Sequence, residues 1–516
     1  MPKITVKFSS GTQTPAKLGT TIIKPASEGK MSYSQNVEVQ NDEAGNSVLV
    51  PGPALVTIGN NSELTGVAAT SARYISSLGG VGYIYFAQGI LGAKDKIRRI
   101  TQVVPASTPI IDSTGSITVT HSAHSGNVVD DLVYRSDSND TIYVVGKDST
   151  DQWVMSFLPS TASPALSNVT TLTSSNNAYE HKIIKGSDSN LYIGHREYID
   201  SIDTTGTYAN NVLDIPKGQG VTALEEWNNF LAIAYSDNLP FTFSERKSAG
   251  QSGIYLWDFL SPSFEKAAVV CPSRYISVLI KDPNGQLLVF GGVDEGKTTL
   301  YEFTGYGYNQ ITSYIGDMPR SRHSVDFDGQ GRIIWITADG QICRYDRRTE
   351  IFEHLGTIPT DTSTGGIFTR LLGDSGNEFV ACSGAGSTYS MKRVTFGNYI
   401  GDGDAVSDGV ATPRAISGKV KLPQKSVVTG IELAFNGELV SGDKFNGYLY
   451  KNGSDTPIAM GTISHTNDGA VASKIIRNTQ YNVDNAALGV AWKMTDNSAT
   501  APGVIEGYIH YNEIKT

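Results

Sequence analysis

Two groups of side chains have the residue types and spacing of metal ligands. Asp402, Asp404 and Asp408 place carboxylates at alternating positions around a glycine, which suits a hard cation. The remaining positions of a calcium loop and its closing Glu are missing, which favours a flexible linker. His121 and His124 resemble a zinc pair, but no Cys or further His stands nearby, which favours an exposed loop. We therefore predict no metal site.

Arginines spaced through the middle of the chain are the other candidates for chemistry, since converging guanidinium groups can hold a carboxylated sugar. They are Arg196, Arg274, Arg322 and Arg370. Glycoside hydrolysis of the sialidase kind would also need a tyrosine and paired carboxylates beside them. The stretch from Ser324 to Trp335 is similar to the Ser-x-Asp-x-Gly-x-x-Trp turn of sialidases, but extra residues lengthen it. We expect surface charges here, and a polysaccharide-degrading hydrolase is the third of our functional hypotheses.

The sequence lacks the signatures of nucleotide binding and of a serine nucleophile. No Gly-x-Gly-x-x-Gly precedes a helix pattern, no Gly-Lys-Ser/Thr loop exists, and Ser383–Ser387 fails the spacing of a nucleophile elbow. We predict no catalytic residue and no cofactor.

Composition and charge favour a β-rich protein that does not bind nucleic acid through its backbone. Charged residues make up 18% of the 516 residues, with 54 Gly and 25 Tyr, and amphipathic helix patterns are short. The net charge of −10 would repel a polyphosphate. The cysteines Cys271, Cys343 and Cys382 are odd in number and lie in apolar stretches, which predicts buried thiols in a reducing cytoplasm. No apolar stretch is long enough to span a bilayer.

A repeated pattern runs through residues 66–400. An apolar strand, an Asp/Asn/Gly turn and a second apolar strand return at intervals of roughly 40–55 residues, the period of propeller blades. The turns begin at Asp137, Asp188, Asp282, Asp326 and Asp374. Their Asp and Asn side chains can cap the backbone of a tight hairpin. We predict an all-β fold with a β-propeller of about seven blades.

The predicted blades start at seven positions. They are Arg73, Leu132, His181, Thr222, Tyr275, His323 and Phe368. The segment Met318–Val325, followed by Tyr345–Leu355, resembles a kelch blade, which opens with Pro-x-x-Arg-x-x-His and carries Tyr-Asp before its outer strand. Trp257-Asp258 likewise resembles the WD dipeptide. These resemblances imply a propeller without assigning the chain to either family.

The flanks predict further units. Residues 1–65 form a strand-bearing arm, in which Ser34–Val39 and Ser47–Pro53 resemble the start of propeller-bearing tail proteins of bacteriophages. Residues 401–409 read as a linker. Residues 410–516 alternate polar and apolar positions, which predicts a jelly-roll-like β-sandwich similar to those after propellers in viral tails.

The resemblance to tail proteins implies a structural virion component: a nozzle, tail-tube or adaptor subunit that forms a ring with its own copies. Exposed aromatics such as Tyr306 and Tyr308 would contact other tail or fibre proteins. The alternative is a module that binds host-surface glycan through Trp492, Tyr448 and Tyr450 as stacking platforms. We expect location in the virion tail, synthesis in the host cytoplasm, and neither sequence-specific nucleic-acid binding nor membrane insertion.

Overall fold

The structure is a computed structural model of the chain. It describes residues 2–7, 33–35, 37–41, 47–51, 54–57, 71–75, 82–90, 93–101, 110–120, 127–136, 140–172, 180–237, 249–264, 267–293, 296–357, 366–370, 378–385, 388–395, 414–417, 420–451, 457–492 and 503–513. The predictions for His121, His124, Asp402, Asp404 and Asp408, and the linker 401–409, lie outside these residues.

Five short strands come first along the chain. They are β1 (Lys3–Lys7), β2 (Tyr33–Gln35), β3 (Val37–Asn41), β4 (Ser47–Pro51) and β5 (Ala54–Thr57).

Six separate four-stranded antiparallel sheets follow, which we call blades 1 to 6. Blade 1 contains β6 (Ser71–Ile75), β7 (Gly82–Ile90), β8 (Ala93–Thr101) and β9 (Ile110–Thr118). Blade 2 contains β10 (Val128–Arg135), β11 (Thr141–Lys147), β12 (Gln152–Phe157) and β13 (Ser167–Leu172). Blade 3 contains β14 (Lys182–Lys185), β15 (Leu191–His195), β16 (Tyr198–Ile202) and β17 (Tyr208–Asp214). Blade 4 contains β18 (Gln219–Trp227), β19 (Phe230–Asp237), β20 (Ser252–Trp257) and β21 (Val269–Cys271). Blade 5 contains β22 (Tyr275–Lys281), β23 (Leu287–Val293), β24 (Lys297–Phe303) and β25 (Tyr308–Ile315).

The strands after blade 5 correct the expected number of about seven blades to six. β26 (Val325–Phe327), β27 (Ile333–Ile336), β28 (Gln341–Asp346) and β29 (Ile351–Thr357) form a four-stranded meander, here called the bridging meander. It is not a separate sheet, because β29 pairs with β2 and so joins a fourteen-stranded sheet. Blade 6 contains β30 (Gly366–Arg370), β31 (Glu378–Ala385), β32 (Thr388–Thr395) and, as its outermost strand, β5. The start predicted at His323 therefore leads into the bridging meander, while the other six starts lie in or beside the first strand of a blade.

Apolar side chains are buried between neighbouring sheets rather than in one central core. Trp153 of blade 2 packs with Tyr85 of blade 1, and Phe290 of blade 5 packs with Trp335 of the bridging meander at a ring-centroid distance of 5.4 Å. The continuous apolar strands Leu287–Phe290 and Ile333–Ile336 are buried. This confirms the sequence argument that such strands are covered on both faces by adjacent sheets.

The predicted hairpin chemistry is present where the turns are described. Asp282 Oδ1 accepts hydrogen bonds from the backbone N–H of Asn284 (2.8 Å) and Gln286 (2.9 Å), and Asp188 accepts one from Asn190 (3.0 Å). Gly285 has φ of 83°, the left-handed conformation that a glycine tolerates without strain. Each of these turns joins the first and second strands of a blade.

The C-terminal strands, β33 to β38, belong to the fourteen-stranded sheet. They are β33 (Arg414–Ile416), β34 (Val420–Phe435), β35 (Lys444–Lys451), β36 (Ile458–Ser464), β37 (Ser473–Trp492) and β38 (Val504–Glu513). β34 pairs with both β37 and β38, and β35 pairs with β36 and β37. These pairings put the strands in one connected sheet, and the two-layered sandwich stays a prediction.

The N-terminal arm is divided between two parts of the molecule. β1 pairs along its length with β38, and the β3–β4 hairpin reaches β38 through Leu49 and Val504. β5 instead pairs with β32 and completes blade 6, after which the chain continues to blade 1. An early strand thus closes the last blade.

Helix is scarce in the described residues. It consists of a 3₁₀ turn at Arg322–Ser324 and the short α1 (His465–Asp468). Among the described residues, no helix is long and apolar enough to cross a bilayer.

Candidate functional site

The first strands of blades 2, 4 and 5 share an irregularity near their beginning. Their pairing with the second strand skips one residue, which is Asp130 in β10, Thr222 in β18 and Ser277 in β22. An extra residue of this kind turns its side chain out of the regular alternation. Thr222 and Ser277 line a cavity between these first strands, together with Asp131 and Lys182 of blades 2 and 3. The early residues of the first strands therefore meet at one end of the propeller, here called the cavity end.

The connection between blade 5 and the bridging meander lies across this cavity. Its Arg320 donates to Glu180 Oε1 at 2.5 Å, and Arg322 Nη2 donates to the carbonyl of Ile183 at 2.8 Å. His323 Nε2 lies 2.7 Å from Asp131 Oδ1. These partners belong to, or directly precede, strands of blades 2 and 3. Along the chain, blades 4 and 5 lie between those strands and the connection. The cross-axis segment, residues 318–324, thus ties opposite sides of the propeller together.

Asp131 is an ionised carboxylate held by donors. Burial by itself raises its pKa, but His323, Arg322 and Lys182 hold the pKa of Asp131 well below its ordinary value. Burial lowers the pKa of His323 despite the neighbouring carboxylate. A neutral imidazole that donates Nε2–H to Asp131 therefore fits the geometry. The second oxygen of Asp131 accepts from the N–H of Ile183 at 3.1 Å.

Glu225 of β18 has the opposite behaviour. Burial raises its pKa to about 7, although the positive charges of Arg322 and Lys281 and a hydrogen bond from the N–H of Glu226 act to lower it. This half-buried carboxyl therefore titrates near neutral pH, close to the same arginine that spans the axis.

The cavity has a volume of about 20 Å³. Thr222 is 4% and Ser277 2% exposed, and neither hydroxyl has a hydrogen-bond partner among the described residues. Buried polar groups are normally satisfied. The two hydroxyls, beside the cations Lys182 and Arg322, therefore mark the place where a small polar guest would complete the structure.

Two buried aspartate–histidine pairs brace the neighbouring blades 2 and 3. His181 Nδ1 lies 2.6 Å from Asp130 Oδ2, and His195 Nε2 lies 2.8 Å from Asp200 Oδ2, which also accepts from Tyr208. The two imidazole rings are 5.7 Å apart. Their side chains are at most 2% exposed, so a substrate has no access to them. The His181–Asp130 pair joins blade 3 to blade 2, and the His195–Asp200 pair lies within blade 3.

Only one of the four candidate arginines is placed at the cavity. Arg322 lines it, whereas Arg274 is exposed before β22 and Arg196 lies in the turn between β15 and β16. Arg370 lies in β30, and its side chain is outside the described residues. Within the part of the chain that the structure describes, no group of three or more His, Cys, Asp or Glu side chains is placed to hold a metal ion.

The predicted contact and stacking aromatics differ in accessibility. Tyr306 is 83% exposed, whereas Tyr308 donates to the carbonyl of Val269 at 2.8 Å and packs beside Phe303. Tyr450 is only 7% exposed, which leaves little ring face for a sugar. Tyr448 packs partly buried beside Tyr450, and the side chain of Trp492 is outside the described residues.

Burial of the cysteines is confirmed for two of three. Cys271 and Cys343 are free and buried, and burial raises the pKa of Cys271 to about 11. The side chain of Cys382 is outside the described residues.

Apart from Arg322, sequence reasoning missed the polar side chains of the cavity, although a signal exists. Three first strands share the same order of residue types near their beginning: an apolar residue, a polar residue, a residue of variable type and Leu. The three segments are Val129–Leu132, Val221–Leu224 and Ile276–Leu279. A polar residue at the same offset in equivalent apolar strands predicts a shared axial position. The signal is visible only when the blades are aligned by their first strands rather than by their hairpins.

The chain matches no protein-family model and no curated protein. The class that the geometry defines is that of the fold, a β-propeller with a polar, braced axis.

Proposed function

We propose that this protein is a structural component of a bacteriophage tail, a nozzle, tail-tube or adaptor subunit that forms a ring with its own copies. The proposal rests on the resemblance of the N-terminal arm and the C-terminal strands to tail proteins, and on one feature of the propeller surface. That feature is a set of exposed apolar side chains at equivalent places in different blades.

Three of the exposed apolar side chains lie in connections between third and fourth strands. Leu158 of blade 2 is 45% exposed, Leu260 of blade 4 is 90% exposed and Tyr306 of blade 5 is 83% exposed. In an antiparallel meander these connections lie at the same end as the first hairpins. The side chains therefore share the end opposite the cavity, here called the hairpin end. Single exposed apolar residues are ordinary, but their recurrence on one face favours a protein interface.

Rigidity of the axis supports the same role. The cross-axis segment bonds to blades 2 and 3, and the bridging meander is continuous with the C-terminal strands through β2. A subunit that carries load between its neighbours benefits from such connections, because interdomain motion is otherwise the default.

The proposal is tested on the purified full chain. Mass photometry and electron microscopy are expected to show a closed ring for the wild type and monomers for Leu260→Asp/Tyr306→Asp. Val440→Asp is the matched control, since Val440 is 39% exposed but lies between β34 and β35, which are not blade strands. Its ring is expected to persist. A wild-type chain that stays monomeric at micromolar concentrations, and is missing from phage particles by mass spectrometry, would falsify the proposal.

The glycan-binding and hydrolase hypotheses stay predictions. No contact in the described residues favours either over assembly.

A further inference from the structure

The cavity at the propeller axis has more hydrogen-bond donors than acceptors. Within the described part of the chain Arg322 makes one hydrogen bond, to the Ile183 carbonyl, which leaves other N–H groups of its guanidinium to face the cavity. The acceptor on the cavity wall, Asp131, is occupied: Oδ1 accepts from His323 and the N–H of Leu132, and Oδ2 from the N–H of Ile183.

The remaining polar groups on the wall are also able to donate. The hydroxyls of Thr222 and Ser277 have no partner. Lys182 lies 3.4 Å from Glu180 Oε2, which leaves ammonium N–H groups available. A guest that only accepts hydrogen bonds would satisfy all of these donors at once.

We propose that this cavity binds a small monovalent anion, of the size of chloride or bromide, between Arg322, Lys182 and the hydroxyls of Thr222 and Ser277. The site takes a halide rather than a tetrahedral oxyanion because of its size. A cavity of about 20 Å³ has room for one small spherical ion or one water molecule. Phosphate or sulfate carries four oxygens and needs several times that room.

The charge on the wall agrees with this choice. Lys182 and Arg322 are cations, and among the described residues Asp131 is the one carboxylate that lines the cavity, while Glu180 pairs with Lys182 from outside the lining. A hard cation would meet two positive groups and hydroxyls instead of the carboxylates it prefers. A water molecule accepts at most two hydrogen bonds, so it would leave some of these donors without an acceptor.

The anion has a structural consequence. Lys182 belongs to blade 3, Thr222 to blade 4, Ser277 to blade 5 and Arg322 to the cross-axis segment. One bound ion therefore joins three first strands and the segment that spans them. Folded protein is stabilised by a ligand that binds it and not the unfolded chain.

The experiment uses sodium bromide as the probe on the full chain. Thermal unfolding is measured at constant ionic strength as bromide replaces gluconate, which is too large for the cavity. The wild-type melting temperature is expected to rise by about 2 °C when the bromide concentration is about tenfold above its dissociation constant. At higher concentrations the melting temperature is expected to rise further with the logarithm of the bromide concentration. General salt effects change little in this series, because the ionic strength is fixed.

The discriminating variant is Thr222→Val/Ser277→Ala. Without bromide it is expected to be at least as stable as the wild type, because it removes two buried, unpaired hydroxyls. It is expected to lose most of the bromide response. Arg348→Gln is the matched control for surface charge, since the Arg348 side chain is 68% exposed, and it is expected to keep the full response.

Crystals grown or soaked in bromide give the direct measurement. An anomalous peak within about 3.5 Å of the Thr222 and Ser277 hydroxyls and Arg322 supports the proposal. A cavity without that peak, or an equal bromide response in wild type and the double variant, overturns it. Neither result depends on ring assembly, so failure here is distinct from failure of the proposed function.

Discussion

Glu225 and Arg322 illustrate how a single buried position sets the chemistry of the propeller axis. The cross-axis segment brings the positive charge of Arg322 near the Glu225 carboxyl. Lys281, the other nearby cation, bonds to Glu226 at 2.5 Å. Burial therefore dominates, and the pKa of Glu225 rises to about 7.

This shift predicts a pH-dependent stability that Glu225→Gln removes. The ordinary value for Glu is 4.5 and the folded value is about 7, so between these pH values the folded state binds more protons than the unfolded chain. Stability from this group is present below pH 4.5 and is lost as pH rises through 7. The full difference corresponds to roughly 3 kcal/mol, and screening at a half-buried site reduces it to about 1–2 kcal/mol.

Urea unfolding at pH 5 and pH 8 checks this prediction. Between pH 5 and pH 8 the free energy of unfolding of Glu225→Gln is expected to fall by about 1–2 kcal/mol less than that of the wild type. Glu226→Gln, which alters the adjacent carboxyl and its exposed partner Lys281, is the control and is expected to keep the wild-type dependence. A Glu225→Gln chain with an unchanged pH profile would contradict the assignment.

Much of the residue-level chemistry was predictable where it is local. Asp188 and Asp282 cap their hairpins as the sequence indicates, because their partners are two to four residues away. The pair His323–Asp131 spans 192 positions. No local pattern encodes such a contact, and the same holds for Thr222 and Ser277, which meet only when blades are arranged around an axis.

At the scale of elements, the closure of blade 6 depends on β5. Its pairing runs from Ala54 opposite Thr395 to Thr57 opposite Lys392. β5 is the outermost strand of blade 6 and precedes blade 1 in the chain, so it holds the last blade to the first. Long-range pairing of this kind costs loop-closure entropy and is stabilised only once the intervening blades have formed.

We predict that Leu55→Pro/Val56→Pro opens blade 6. Backbone N–H groups of successive strand residues point to opposite sides, so one of the two prolines must remove a bond to β32. Hydrogen exchange at β32 is expected to accelerate by about 100-fold, equivalent to roughly 3 kcal/mol.

The matched control places two prolines in an outermost strand without a closing role. Thr170→Pro/Thr171→Pro alters β13, which pairs with β12 of its own blade 2. Exchange is expected to accelerate in β12 and β13 only, and to leave blade 6 protected. Equal loss of protection in blade 6 for both variants, or none for either, would exclude β5 as the closing strand.

Element prediction succeeded for local meanders and failed for what joins them. Six of the seven predicted starts mark first strands of blades, because each blade forms from consecutive strands joined by recognisable turns. The bridging meander has the same local pattern, but its last strand pairs in parallel with β2 at Gln35 and His354. That contact between distant segments changes the count, and no feature of either segment alone predicts it.

At the scale of the whole molecule, the N-terminal arm holds the C-terminal strands together as well as the propeller. Val6 and Leu49 are each 1% exposed and belong to the same apolar cluster as Leu433 and Ile509 of the C-terminal strands. β2 lies between β29 and β33 and so connects this cluster to the bridging meander. The strands of the N-terminal arm are therefore required by both the propeller and the C-terminal strands.

A chain that begins at residue 52 separates these two roles, because it lacks β1 to β4 and keeps β5. Burying each of Val6 and Leu49 contributes about 1.5–3 kcal/mol, so the C-terminal strands are expected to lose several kcal/mol of stability. Loss of β2 also removes the connection to the bridging meander. Calorimetry is expected to show one transition for the full chain and two for the shortened chain, with the C-terminal strands unfolding first. Hydrogen exchange assigns the order: β34 and β38 are expected to lose protection while blades 2 to 5 keep it, the converse of Leu55→Pro/Val56→Pro. A single transition at the wild-type temperature would show that the arm contributes nothing to this coupling.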